Sequence, residues 1–253
     1  MKIILIVYLL LQFMWACGGS APDTPEKSIN EPPNEVTNIN VETSTTLANS
    51  FCAAQTRLQM VASALLSAYS PKGNGSDLNY CGGENILSEN KTNFDITIKD
   101  YCFNFRDQEL ILNGGITGAT ESGANFTSEI ANLDITGDAV DLTITGNTTA
   151  GRADDMFFSA LITDNVSGDD ITLENVSLKK GELDFGYLTL PRLDKLEFKF
   201  IEYFNVELTQ GQLYIYGTGD QLLIITAANG TITAAYHASK LDPGIPLDTT
   251  CND

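Results

Sequence analysis

Val140-Asp141-Leu142-Thr143-Ile144-Thr145 is the stretch whose reading decides the fold. Successive side chains of a strand point to opposite faces, so Val140, Leu142 and Ile144 share one side and Asp141, Thr143 and Thr145 the other. One apolar side and one polar side mean a strand with a core on one face and water on the other, as in antiparallel sheets. The same period of two starts at Phe94 and persists, broken by Gly, Asn and Asp at intervals of roughly 8–12 residues, the mark of an all-β meander. It predicts strands over 93–99, 101–106, 109–117, 125–136, 139–146, 156–163, 170–179, 182–190, 194–208, 211–217, 221–228 and 230–237.

Upstream the period changes. Leu47, Phe51, Ala54, Leu58, Val61, Leu65 and Ala68 recur at spacings of three and four, which predicts one amphipathic helix over 46–69 with Thr45 or Thr46 as its cap. Pro71, Gly73 and Gly75 end it. A lone helix cannot bury its own stripe, so it must cover the sheet. In Leu213-Tyr214-Ile215-Tyr216 and Leu222-Leu223-Ile224-Ile225 both faces are apolar, and the helix is the natural cover for one of them. The expected fold is therefore mainly β: a large curved antiparallel meander sheet (open barrel, clam or sandwich) with one N-terminal amphipathic helix packed on it.

One strand is unusual. Leu196, Phe198, Phe200, Phe204, Val206 and Leu208 hold one phase, with Glu202 interrupting them. Fifteen residues of unbroken strand would run about 50 Å, so a bulge or bend near 201–203 is expected. Phe198, Phe200, Glu202, Phe204, Tyr214 and Tyr216 are the candidates for binding an apolar ligand, against the plainer reading that the aromatic rings make up the core.

The chain opens with Lys2 and an apolar run over Ile3–Leu11, too short for the roughly 20 residues that span a bilayer, and so reads as a signal peptide. Its end, Met14-Trp15-Ala16-Cys17-Gly18, resembles a bacterial lipobox, although Trp15 stands where that class usually has a small residue. The resemblance implies removal of residues 1–16, lipidation of Cys17 and a membrane anchor; Gly18 rather than Asp after the cysteine implies outer-membrane sorting in a Gram-negative cell. A cut after Ala21 is the alternative and implies a soluble periplasmic or secreted protein. Residues 17–45, rich in Pro, Asn, Thr, Ser and Glu, read as a disordered tether, and residues 46–253 as a single domain.

The chain carries 33 acidic against 14 basic side chains, a net charge of −19. This disfavours nucleic acid and anionic membrane surfaces as partners, so lipid would have to do the anchoring. Beyond Cys17 there are four cysteines, Cys52, Cys81, Cys102 and Cys251, an even set that an exporting compartment would oxidise. Of three possible connectivities, Cys81 with Cys102 closes a modest loop and leaves Cys52 with Cys251.

No constellation of catalytic residues emerges. His237 is the single histidine and sits at a strand end, which excludes multi-histidine metal sites. There is no Gly-x-Ser-x-Gly elbow or glycine-rich phosphate loop. The acids of Asp154-Asp155 and of Asp164-Asn165-Val166-Ser167-Gly168-Asp169-Asp170 fall short of a calcium loop and read as solvated turn residues. The Asn-x-Ser/Thr triplets at Asn125, Asn165 and Asn229 matter only in a eukaryotic secretory pathway. No cofactor is expected.

Cys81-Gly82-Gly83, a period-two strand, Tyr101-Cys102 and then Leu110-Ile111-Leu112-Asn113-Gly114 resemble a pattern of uncharacterised β-rich exported proteins of proteobacteria, in which a leucine-asparagine-glycine turn follows the second cysteine. Gly211-Gln212-Leu213-Tyr214-Ile215-Tyr216-Gly217 resembles their C-terminal hairpins. The resemblance supports the Cys81–Cys102 pairing and implies no activity. A curved sheet with a helix across its mouth also resembles periplasmic lipoprotein-handling and lipid-binding β-clams. The expected function is a non-enzymatic binding or structural module of the cell envelope, its partner an envelope protein or an apolar ligand; the alternatives are a carrier of lipid and an enzyme using Glu202.

Overall fold

The computed structural model describes residues 38–69, 83–89, 92–106, 108–120, 126–150, 155–179, 182–204 and 209–249. Cys17, Cys81, Cys251 and the signal, lipidation and most of the tether segments named above lie outside these residues. One helix, α1 (Val41–Ala68), precedes the strands β1 (Glu84–Glu89), β2 (Asn93–Phe105), β3 (Gln108–Thr120), β4 (Phe126–Gly137), β5 (Val140–Ala150), β6 (Asp155–Asp164) and β7 (Asp169–Lys179). After them come β8 (Glu182–Leu183), β9 (Phe185–Thr189), β10 (Leu196–Glu202), β11 (Gln212–Tyr216), β12 (Leu222–Ala228), β13 (Thr231–His237) and β14 (Ile245–Leu247). All belong to one antiparallel sheet in meander order, with β8 a side branch on β7. The sheet does not close on itself, since β1 and β14 are its two ends.

The helix explains how an open sheet of this size holds its shape. It packs against β2 near one end of the sheet, β8 in the middle and β12, β13 and β14 at the other end. The sheet therefore curls around α1 instead of lying flat beneath it. All seven residues of the expected stripe are buried, and so are Ala48, Gln55, Gln59, Met60, Ala62 and Ala64, which a flat sheet would have left in water. Phe51 meets Phe200 and Phe204 at ring-centroid distances of 6.3 Å. Against it lie the inward rows of the strands: Ile130, Leu133 and Ile135, then Leu142 and Ile144, then Phe158 and Ile162, then Leu213 and Ile215.

Curvature on this scale needs points where the ladder yields. Pairing shifts by one residue between Ile98 and Tyr101, Gly115 and Ile116, Ile130 and Leu133, Phe158 and Ala160, and Phe200 and Glu202. Such bulges bend the strand and raise its twist. Two glycines sit beside them with positive φ, Gly114 (139°) and Gly146 (158°). A Cβ on either would come within 2.0 or 2.1 Å of a carbonyl oxygen of the next strand, so only glycine allows the close approach.

The structure corrects several expected boundaries. The helix begins at Val41, not 46, because Asn40 and Thr43 form a capping box: the Thr43 amide donates to Asn40 Oδ1 and the Asn40 amide to Thr43 Oγ1, both at 2.9 Å. Ile39 just before it is buried against Gly217, and its amide donates to Gln221 Oε1 at 3.1 Å, so the domain reaches into the expected tether. The strands expected at 93–99 and 101–106 are one strand with a bulge at Asp100, whose amide donates to Asn113 Oδ1. Asn113-Gly114 is therefore no turn but the bend inside β3. The strand expected over 182–190 is divided into β8 and β9 at Asp184, and that expected over 194–208 stops at Glu202, at the anticipated bulge. Its last four residues lie outside the described ones. β1 and β14 were not expected at all.

Candidate functional site

The six candidate ligand residues do not share a surface. Phe198 and Phe204 are in the core, and Phe200 is half-buried within the same aromatic cluster, edge-on to both at 5.8 and 5.9 Å. Glu202 is exposed, turned out by the bulge that precedes it. Tyr214 and Tyr216 are on the opposite face of the sheet. Register decides this: Phe198 pairs with Ile215 and Phe200 with Leu213, so the tyrosines between them are paired with Lys199 and Glu197 on the outer side. The expected aromatic cavity lining is thus split between core and surface, and α1 fills the space it would have enclosed.

The outer face itself has two characters. Over β2–β7 it is mostly polar and acidic, with Asp95, Glu109, Glu129, Asp134, Asp141 and Asp170 against the cations Lys99 and Lys179. Threonine and asparagine hydroxyls and amides tie these acids down. Thr143 Oγ1 donates to Asp134 at 2.8 Å, Thr163 Oγ1 to Asp170 at 2.8 Å and Asn165 Nδ2 to Asp141 at 2.8 Å. A groove of about 640 Å³ crosses the strand ends of this half, lined by Ser88, Asn93, Phe94, Asp95, Thr117 and Glu129 among others.

Over β9–β13 the outer face is aromatic. One cross-strand row reads Tyr187, Glu197, Tyr216, and the next reads Phe185, Lys199, Tyr214, Ile224. Lys195 Nζ lies 4.8 Å from the Tyr187 ring centre while forming an ion pair with Glu174, and Lys240 Nζ lies 5.9 Å from the Tyr216 ring centre. Tyr214 and Tyr216 meet edge to face at 6.4 Å. Partial burial, with the Glu197 carboxylate beside them, raises the pKa of both Tyr187 and Tyr216. Among the described residues no helix or strand crosses this face. Tyr187, Glu197 and Lys195 were not picked out from sequence; the signal available was the alternation of Glu197 and Lys199 with buried Leu196 and Phe198.

Two further arrangements escaped sequence reading. Asp164 was expected to be a solvated turn residue but is buried, accepting from the Val166 and Ser167 amides at 2.9 and 3.1 Å and from Arg57 of α1 at 2.5 Å. Burial alone would raise its pKa; the two amides, the Ser167 hydroxyl and the Arg57 guanidinium outweigh that and hold it below the usual value. Tyr69, just beyond α1, bonds through its hydroxyl to Ser128 at 2.5 Å and Thr148 at 2.6 Å, and burial raises its pKa. Neither arrangement holds a nucleophile beside a base.

His237 is at a strand end as expected, with Nδ1 2.9 Å from the Asp242 carbonyl. Cys52 and Cys102 are both disulfide-bonded. Among the described residues no group of three or more His, Cys, Asp or Glu side chains is placed to hold a metal ion. No helix among them is long and apolar enough to cross a membrane. The fold and surface thus define a class: an open antiparallel meander wound around a single helix, with its distinctive side chains on the outer face. Comparison with known proteins finds no match to a family model, to a curated protein or to a solved structure.

Proposed function

We propose that the chain is a cell-envelope lipoprotein, anchored through Cys17, whose β domain is a non-enzymatic binding or structural module. The observation that carries this reading is α1: it occupies the concave side of the sheet, so the apolar interior is filled by the protein's own helix and the outer face is what remains to meet a partner. A carrier of lipid needs that interior, which sets the carrier reading below the module. The hydrogen-bonded, solvent-facing acids of the outer face give an enzyme no matched acid and base. In this reading the segment after Cys17 holds the domain off the membrane, and Cys81 pairs with Cys102 and Cys52 with Cys251, the second bridge fastening α1 to the C-terminal end of the sheet.

Fractionation of cells expressing the chain and its Cys17→Ala variant tests the anchor. Wild type partitions with membranes and the variant is released; equal membrane association of both overturns it. Native mass spectrometry of protein taken from its own envelope tests the module against the carrier. A mass equal to the lipidated chain supports the module, and a stoichiometric apolar ligand overturns it. Peptide mapping of the non-reduced protein tests the pairing.

A further inference from the structure

We propose that the outer face of β9–β11 is a polysaccharide-binding platform, in which Tyr187 and Tyr216 stack on alternate sugar rings of an extended β-1,4-linked chain and Glu197 between them accepts from its hydroxyls. The inference rests on the module reading and names the chemistry of its partner.

Three observations support it. The first is spacing. Tyr187, Glu197 and Tyr216 stand in one row across three adjacent strands, so the two rings are two strand spacings apart, about 9.6 Å. That is close to the length of one disaccharide in an extended β-1,4-linked chain, so a ring lands on every second sugar. The row is fixed by the sheet, since the residues flanking it, Leu188, Leu196, Phe198 and Ile215, are buried. A binding site on strands is held without ordering cost, as a loop site is not.

The second is charge. Around this row Glu174 of β7, Glu197 and Glu202 are matched by Lys195, Lys199 and Lys240, whereas across the rest of β2–β7 six acids face Lys99 and Lys179. In a chain of net charge −19 this face is close to locally neutral. A weakly anionic polymer, repelled by the acidic half, meets no net repulsion here, and a neutral one is indifferent to charge. A strongly anionic or cationic partner would favour a face of one sign, which this is not.

The third is the kind of group on offer. Half-exposed aromatic rings alternate with carboxylates and ammonium groups, so each apolar surface has an acceptor and a donor next to it. A sugar ring presents that combination: C–H groups on its face and hydroxyls around its rim. A purely apolar partner would leave Glu197 desolvated and unpaired, which costs binding. The lysines lie over the ring faces that a sugar would cover and are long enough to swing to its rim.

Cellohexaose and chitohexaose, with α-linked maltohexaose as control, test the platform by titration of the domain. The single tryptophan of the chain is Trp15, within the signal segment, so a protein lacking residues 1–16 emits from tyrosine alone. Three of its eight tyrosines (Tyr187, Tyr214 and Tyr216) lie on this face, and the loss of the signal change in Tyr187→Ala and Tyr216→Ala assigns it there. At least one β-1,4-linked hexamer is expected to bind and to quench emission, with maltohexaose inert. Tyr187→Ala and Tyr216→Ala each weaken binding about tenfold, Glu197→Gln, which keeps the fold, several-fold, and Thr143→Val on the other half not at all. Absence of binding by both β-linked hexamers, equal binding of maltohexaose, or full affinity in Tyr216→Ala and Glu197→Gln overturns the inference. The module reading fails separately, through the fractionation and mass experiments above.

Discussion

The two halves of the sheet share an inner face and differ on the outer one. Toward α1, β4–β5 and β10–β12 present the same kind of row, mainly Leu, Ile and Phe, with Ser128 and Thr148 the polar exceptions where they meet Tyr69. Outward, β4–β7 present a ladder of hydrogen-bonded pairs, Thr143 donating to Asp134 and Thr163 to Asp170, and β9–β11 present Tyr187, Glu197 and Tyr216. The difference separates two demands on one strand. The inner residues have to fill space around a helix and are interchangeable in kind between halves. The outer residues are free of that demand, and where they depart from Thr, Asn and Asp some other requirement is acting on them.

The comparison can be broken or sharpened by mutation. Phe51→Ala removes the ring that packs on Phe200 and Phe204 and is expected to cost about 3–5 kcal/mol in chemical denaturation. Hydrogen exchange should rise more in β10–β11 than in β4–β5; a uniform rise would mean that the helix serves both halves as one unit. Asp164→Asn weakens the contact between α1 and the β6–β7 turn and should cost about 1–3 kcal/mol. Because the folded Asp164 pKa lies below its unfolded value, its contribution is fully present above pH about 4 and is lost as the pH falls through the folded pKa. The variant's stability should therefore fall less than wild type on acidification, and equal slopes would assign Asp164 no ionic role.

Gln55 tests the shared interior from the opposite direction. It is 2% exposed, and both its amide nitrogen and oxygen lack a partner among the described residues. Gln55→Leu is expected to raise stability by about 1–2 kcal/mol, the cost of an unsatisfied buried amide, and a loss instead would show that the amide is engaged. Thr143→Val, on the polar outer half, should change stability by no more than about 0.5 kcal/mol. A larger loss would give that ladder a structural part which the aromatic half lacks.

These contrasts also show what was legible in the sequence. The middle strands and the helical stripe could be read because each is a local pattern: Val140–Thr145 alternates, and Leu47 through Ala68 recurs on one face. The start of α1 was hidden because Val41, Thr43, Thr45 and Thr46 are poor helix formers, and the cap at Asn40 overrides them. β1 was missed because Glu84-Asn85-Ile86-Leu87-Ser88-Glu89 does not alternate, and β14 because Pro246 sits in it. The candidate site was legible only as composition. That Tyr214 and Tyr216 are rich in apolar surface is plain from the sequence, but which face they take depends on the register of β11 against β10, a contact made between strands. Arg57 and Asp164, more than a hundred residues apart, are out of reach of local reading for the same reason.

The embrace of α1 by both ends of the sheet has a consequence for the life of the chain. The helix is among the first parts of the domain to be synthesised, yet its partners on β12, β13 and β14 are the last. Until those strands exist, Leu47, Phe51, Leu58 and Leu65 have only part of their cover, and an isolated helix of this kind is marginal in water. Closing contacts so distant in sequence is also slow. A nascent chain therefore stays pliable until β12–β14 have emerged to complete the cover of α1.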